Sequence, residues 1–375
     1  MNWTEYENIG LRAVKQACRI CRRVQAALDA QDVLTKDDRS PVTVADFASQ
    51  AVICGVLGTA FPALPIVAEE GSKALREPAA RHLRTQVVER VAAEMDGAKE
   101  SDVLGWIDRG AQRALAPPSA GAAGAAGATG ATGAAGATGA AGAARAARAT
   151  GVAGATRAAG SLYWTLDPID GTKGFLRGDQ YAVALALLQA GKVVLGILGC
   201  PNLKGPKKSS GTVFVATADG GCLAHELFAD TQTNPTEQTP HPVRAPLLSD
   251  PAAGRFCESV EPAHTDQQLA ARIAARVGLS PEPLRIDSQC KYAVVARGQA
   301  SVYLRVPKNE QYKEKIWDHA AGLMVVEKAG GTVTDLDGRA LDFSHGVRLT
   351  HNRGVLATSG GLHEQVLAAI AGLNV

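Results

Sequence analysis

Apolar residues at Ile9, Ala13, Val14, Ala17, Cys18, Cys21, Val24 and Leu28 recur at helical spacing with arginines opposite them, so the pattern predicts a helix over 4–29. A polar stretch, 34–46, then opens a second helix reaching about Leu57. The short apolar run 64–68 reads as a buried strand and ends in Glu69-Glu70-Gly71, and helical spacing returns at 81–95 and 101–115. Residues 119–160 are almost wholly Gly, Ala and Thr, with glycine at every third position from Gly121 to Gly142. Without proline or large apolar side chains, this tract is expected to be a disordered insertion instead of a collagen strand.

The run Leu162-Tyr163-Trp164-Thr165-Leu166 predicts a strand stopping at Asp167, because Pro168 has no N–H and disfavours helix before it. Two further apolar runs, 181–188 and 193–198, form an expected hairpin around Gln189-Ala190-Gly191-Lys192, and 212–216 is another strand. Pro235, Pro240, Pro242, Pro246 and Pro251 punctuate a polar region, the expected boundary between an N-terminal α+β domain (1–242) and a C-terminal α/β domain (243–375). Beyond it, helices at 269–277, 290–296, 316–329 and near 361–371 alternate with strands at 284–286, 302–306, 332–334 and 355–358. That alternation predicts a layered α/β architecture with a cleft between the domains.

Composition narrows the class. With 375 residues the chain can bury two cores, and a net charge of +2 argues against a nucleic-acid coat or a polybasic membrane binder. No run approaches the roughly eighteen apolar residues of a membrane span. The seven cysteines are scattered, and Cys18-Arg-Ile-Cys21 lies in a helical pattern without a second pair, so buried thiols in a reducing compartment are expected. The N-terminus shows no leader, which points to the cytoplasm; a chloroplast or mitochondrion becomes an option only with a longer N-terminus. A monomer acting on a small molecule is the expected state.

The candidate chemistry centres on Asp167-Pro168-Ile169-Asp170-Gly171-Thr172. A turn here can aim both aspartates, the Ile169 carbonyl and the Thr172 hydroxyl at one spot, and such hard oxygen donors suit Mg²⁺. Trp317-Asp318-His319 sets another acid at a predicted helix start, and Glu69 follows a predicted strand. Four acids from three distant segments thus lie at strand ends or helix starts, where clefts form. Taken alone, Asp38 is a solvated turn residue and Asp46 a first-turn acid favoured by the helix dipole.

Asp-Pro-Ile-Asp-Gly-Thr, the strand ending in Glu-Glu, and Trp-Asp-His-Ala-Ala-Gly together resemble the metal-dependent, lithium-sensitive phosphomonoesterases that include inositol monophosphatase and fructose-1,6-bisphosphatase. The longer stretches 170–188, 36–46, 287–292 and 302–305 resemble the 3′(2′),5′-bisphosphate nucleotidases within that group. The resemblance implies a layered α-β-α-β-α sugar-phosphatase fold and two or three Mg²⁺ ions held by Glu69, Asp167, Asp170, Asp318 and the Ile169 carbonyl. It implies that Asp38, hydrogen-bonded with Thr172, activates water, with Asp46 and Glu70 in support. It further implies that His264, Ser288, Lys291 and Arg305 join Thr172 and Asp318 in contacting substrate. The implied activity removes the 3′-phosphate of adenosine 3′,5′-bisphosphate (PAP), giving AMP, with the sulfated form PAPS as a second substrate. The alternatives are an inositol polyphosphate 1-phosphatase, acting on inositol 1,4-bisphosphate, or a catalytically weak nucleotide-bisphosphate sensor. The chain departs from the group just before the central turn, where Ala159-Gly160-Ser161-Leu162-Tyr163 replaces a Gly-Pro-x-Gly-Arg type of lead-in, and in 213–223, which lacks the expected basic and aromatic residues.

Overall fold

Two β-sheets sandwiched among helices set up the architecture, in a computed structural model that describes residues 3–28, 33–35, 41–111, 162–205, 211–228, 239–248, 250–260, 267–307, 309 and 311–373. The predicted disordered insertion, Asp38 and His264 lie outside the described residues. Helix α1 (Thr4–Ala26) is followed by a small antiparallel pair, β1 (Val33–Thr35) and β2 (Pro41–Thr43), within the stretch expected to be loop. Helix α2 (Val44–Ala60) starts on a capping box, in which Thr43 Oγ1 accepts from the Asp46 amide and Asp46 Oδ2 accepts from the Thr43 amide at 2.8 Å. Then come β3 (Ile66–Ala68), α3 (Lys73–Arg76), α4 (Arg81–Ala92) and α5 (Glu100–Ala111).

Strand β4 (Leu162–Asp170) pairs in parallel with β3 and antiparallel with β5 (Ala182–Gln189); the short α6 (Thr172–Leu176) lies between β4 and β5. The sheet continues through β6 (Lys192–Cys200), β7 (Thr212–Thr217), β8 (Cys222–Glu226) and β9 (His241–Val243) in the order β3-β4-β5-β6-β7-β8-β9. The expected stop at Asp167 does not occur. Strand β4 runs on through Pro168, and the register with β5 shifts between Asp167 and Asp170, an irregularity that accommodates a residue with no N–H to donate.

The second sheet follows the order β11-β10-β12-β14-β13. Its strands are β10 (Arg255–Glu258), β11 (Ser280–Arg285), β12 (Val302–Arg305), β13 (Thr332–Thr334) and β14 (Val355–Thr358). Strands β10, β11 and β12 run in parallel. Helices α7 (Gln267–Val277), α8 (Cys290–Ala296), α9 (Ala320–Lys328) and α10 (His363–Ala371) complete the fold. Helix α9 begins later than predicted, so Asp318 sits in the turn before it.

Side-chain alternation along the strands explains the stacking. Trp164, Leu166, Leu185 and Ile197 face α1 and α2, whereas Tyr163, Ala184, Leu198 and Phe214 face α8 and α9. Those two helices cover one face of the second sheet as well, through Cys257, Tyr303 and Ala357, while Phe256, Leu304 and Leu356 meet α7 and α10 on the other. The result is the α-β-α-β-α order. Helix α9 presses on β6 at Gly196, where an added Cβ would meet the Ala321 carbonyl and Met324 Cβ at 2.8 Å each. The seven cysteines are free and buried. No described helix is long and apolar enough to cross a membrane.

Candidate metal centre and active site

The register of β3 on β4 builds the centre. Ile66, Val67 and Ala68 pair with Trp164, Thr165 and Leu166, so one step further brings Glu69 beside Asp167. Asp167 is buried and Glu69 is half-buried, as are Asp170 and Asp318. Within the irregularity in β4, Ser49 Oγ donates to the Pro168 carbonyl at 3.0 Å. Gly171, at φ 89°, then takes the left-handed turn that starts α6.

The second sheet closes on this turn. An added Cβ at Gly171 would meet Ser288 Cβ at 2.8 Å, and Ser288 itself has φ 65°. Ser288 precedes α8 in a left-handed turn, where its Oγ accepts from the Cys290 amide at 3.2 Å. Next to it, the Gln289 amide donates to Asp170 Oδ2 at 2.5 Å. The Gln289 side chain donates to the Trp317 carbonyl at 2.9 Å and accepts from the Gly322 amide at 3.1 Å. One residue therefore ties the Asp170 turn to the segment carrying Asp318. No sequence pattern marks Gln289 as part of the site, because only the folded chain reveals what its amide and side chain reach.

The charges converge accordingly. Burial pushes the Asp167 carboxyl well above the usual range, and the neighbouring charges of Glu69, Asp170, Asp318 and Asp46 push it further. Asp318 is raised by burial and Asp170, against the pull of Arg305. Burial raises Asp170 as well, opposed by Lys291, the Gln289 amide, Arg305 and His319. Asp167 Oδ1 is buried with no hydrogen-bond partner among the described residues. An orphaned carboxylate oxygen amid other acids is costly without a cation and fits a hard divalent metal.

The remaining predicted residues fall around this centre. Thr172 Oγ1 donates to Asp46 Oδ1 and approaches the Ile169 carbonyl, each at 3.3 Å; its described acidic partner is thus Asp46. Glu70 is buried, and Gln50 clamps its main chain through bonds of 3.0 and 2.7 Å. Lys291 is buried with its Nζ 5.3 Å from the Tyr303 ring centroid; burial lowers its pKa while Asp170 pulls it up. Arg305, the last residue of β12, donates from Nε to Glu314 Oε1 at 3.0 Å. Glu314 also meets His319 Nε2 at 3.3 Å, and His319 Nδ1 lies 2.7 Å from the Tyr292 hydroxyl. Burial pushes Glu314 up, but the bonds and charges of His319 and Arg305 outweigh it and hold the carboxyl at about 2. Sequence reasoning passed over Glu314 because Lys313-Glu314-Lys315 reads as a charged surface run.

Both sheets thus point the carboxyl ends of parallel strands (β3 and β4; β11 and β12) at one acidic cleft with a cationic wall. This is the architecture of a metal-dependent phosphatase, and the chain belongs to the inositol monophosphatase family, whose model matches residues 138–373. An inositol monophosphatase from Anabaena superposes with a TM-score of 0.54 at 16% identity, covering 99% of this chain and 97% of its own. More similar in sequence are relatives named 3′(2′),5′-bisphosphate nucleotidase. The Schizosaccharomyces pombe protein is 36% identical, covering 100% of this chain and 97% of its own length; the Oryza sativa protein is 37% identical, covering 96% and 91%.

Proposed function

We propose that this protein is a Mg²⁺-dependent phosphatase that hydrolyses the 3′-phosphate of PAP to give AMP and phosphate. Full-length relatives that carry the bisphosphate nucleotidase name support the substrate. The observation that carries the chemistry is the convergence of Glu69, Asp167, Asp170 and Asp318 on one another, with Asp167 Oδ1 left unpartnered. In this reading those four acids and the Ile169 carbonyl hold the metal. Bound Mg²⁺ supplies charge neutralisation at the phosphate and acidifies water.

The protein's own groups do the rest. Asp38 accepts a proton from the attacking water, and the Thr172 hydroxyl, oriented by Asp46, fixes that water in line. The water oxygen bonds to phosphorus as the P–O3′ bond breaks. The bond's electron pair passes to the ribose 3′-oxygen, which takes a proton from solvent water as AMP leaves. On the opposite wall Lys291 and Arg305 face the 5′-phosphate, with Ser288 and His264 contacting the nucleotide. Glu314 fixes the Arg305 fork, so the second anion meets a preset donor. PAPS offers the same 3′-phosphate and is expected to be cleaved too.

Phosphate release from PAP, measured against Mg²⁺ concentration, tests the reading. Asp167→Asn is expected to lose more than the roughly 10–100-fold that outer-shell changes cost. Undiminished turnover in that variant sinks the proposal. A higher kcat/KM for inositol 1,4-bisphosphate than for PAP would move the assignment to an inositol polyphosphate 1-phosphatase.

A further inference from the structure

A second cluster of metal-binding side chains lies away from the cleft, in the segment joining β13 to β14. Asp342, His345 and His351 each bring a donor atom within 4.8 Å of the other two. His345 Nε2 is 3.1 Å and His351 Nδ1 3.5 Å from the same oxygen, Asp342 Oδ2. The two imidazole rings sit 3.8 Å apart between centroids, tilted by 45°. The other carboxylate oxygen, Asp342 Oδ1, is engaged by the Ser344 amide at 2.9 Å and hydroxyl at 2.6 Å. Ser344 therefore aims Oδ2 at the imidazoles.

The backbone beneath is fixed as well. The Asp342 amide donates to Asn352 Oδ1 at 2.8 Å, and Asn352 Nδ2 donates to Asp335 Oδ2 and the Ala340 carbonyl at 3.0 Å each. Metal sites have this construction: first the ligands, then hydrogen bonds that orient them. Two imidazole nitrogens and one carboxylate oxygen suit Zn²⁺ and its transition-metal neighbours, whereas Mg²⁺ prefers oxygen donors throughout. The site is separate from the acidic cleft. The adjacent Phe343 carbonyl accepts from the Tyr163 hydroxyl at 3.1 Å, and Tyr163 stands four residues before Asp167 in β4, about 13 Å along the strand.

We propose that Asp342, His345 and His351 form a transition-metal site of the Zn²⁺ class, independent of the catalytic centre, that cross-links the segment between β13 and β14. Three protein ligands leave a tetrahedral ion one position for water, and the exposure of His351 gives the ion a path in.

The test is a ZnCl₂ titration of the full-length protein in saturating Mg²⁺, followed by calorimetry and thermal melting, with CoCl₂ as a visible-absorption probe of the ligand geometry. Wild type should take up one tight Zn²⁺ equivalent, melt at higher temperature with it and give Co²⁺ d–d bands. His351→Ala and His345→Ala should each weaken that equivalent at least about 10-fold and lose the bands, while Mg²⁺-dependent phosphate release stays at the wild-type rate. The tight equivalent should persist in Asp167→Asn, whose cleft is altered. The proposal is overturned if wild type takes up no tight Zn²⁺ equivalent in saturating Mg²⁺, if the histidine variants titrate as wild type does, or if the equivalent vanishes in Asp167→Asn.

Discussion

Gln289 occupies the centre of the site without offering a ligand. Its amide holds Asp170, and its side chain holds Trp317 and Gly322 on either side of Asp318. Truncating it to alanine frees the Asp318 segment but leaves every acid in place. Gln289→Ala should therefore raise the Mg²⁺ concentration for half-maximal phosphate release roughly 10–100-fold, with a much smaller change in KM for PAP at saturating Mg²⁺. A Mg²⁺ titration of initial rates reads this directly. The acids themselves were legible in the sequence because each closes a recognisable run: Glu69 after an apolar strand, Asp167 and Asp170 around a proline, and Asp318 before a helix. Gln289 and Glu314 were not, since their contacts cross 28 or more residues in one case and an apparently solvated charged run hides the other. The resemblance pairs Thr172 with Asp38; its described bond to Asp46, 126 residues away, has no signal in the sequence.

At the level of elements, periodicity located most helices and strands and failed where one local rule met a tertiary one. Pro168 argued for a strand end, yet a register shift let β4 continue and carried Asp170 into the cleft. Strands β8 and β9 are short and interrupted by histidines and a proline, so their alternation was too weak to read. Two expectations follow from packing. Gly196→Ala forces a methyl against α9, and should cost about 1–3 kcal/mol of stability in denaturant unfolding without touching the acids. His225, in β8, is lowered by burial and by Lys15 to about 4, against an ordinary 6.5. The unfolded chain then binds the extra proton first, so stability conferred by neutral His225 is intact above about 6.5 and is lost as pH falls toward 4. His225→Gln should flatten that part of a melting-temperature profile; an unchanged slope would exclude His225 as its source.

Across the whole molecule, the acids join the two sheets. Glu69, Asp167 and Asp170 belong to the first, and Asp318 reaches them from the turn before α9, which both sheets share. A cation bound by all four favours the folded chain by mass action, worth about 2.7 kcal/mol at a hundred times its dissociation constant. Mg²⁺ should accordingly raise the melting temperature of wild type, and Asp318→Asn should lose most of that rise while its metal-free melting temperature does not fall, because removing one charge relieves the crowding that burial and Asp170 impose. Differential scanning calorimetry with and without EDTA makes the comparison.

The wide spacing of those acids along the polypeptide also bears on the order in which the molecule is made. A nascent chain leaving the ribosome presents Glu69, Asp167 and Asp170 well before Asp318 and the α9 turn have been translated. Until those residues arrive, neither the Asp318 carboxylate nor the Gln289–Trp317 bond can contribute to the centre. Full metal affinity is therefore expected only once Asp318 has been made, and a product truncated ahead of it should bind Mg²⁺ more weakly than the intact chain.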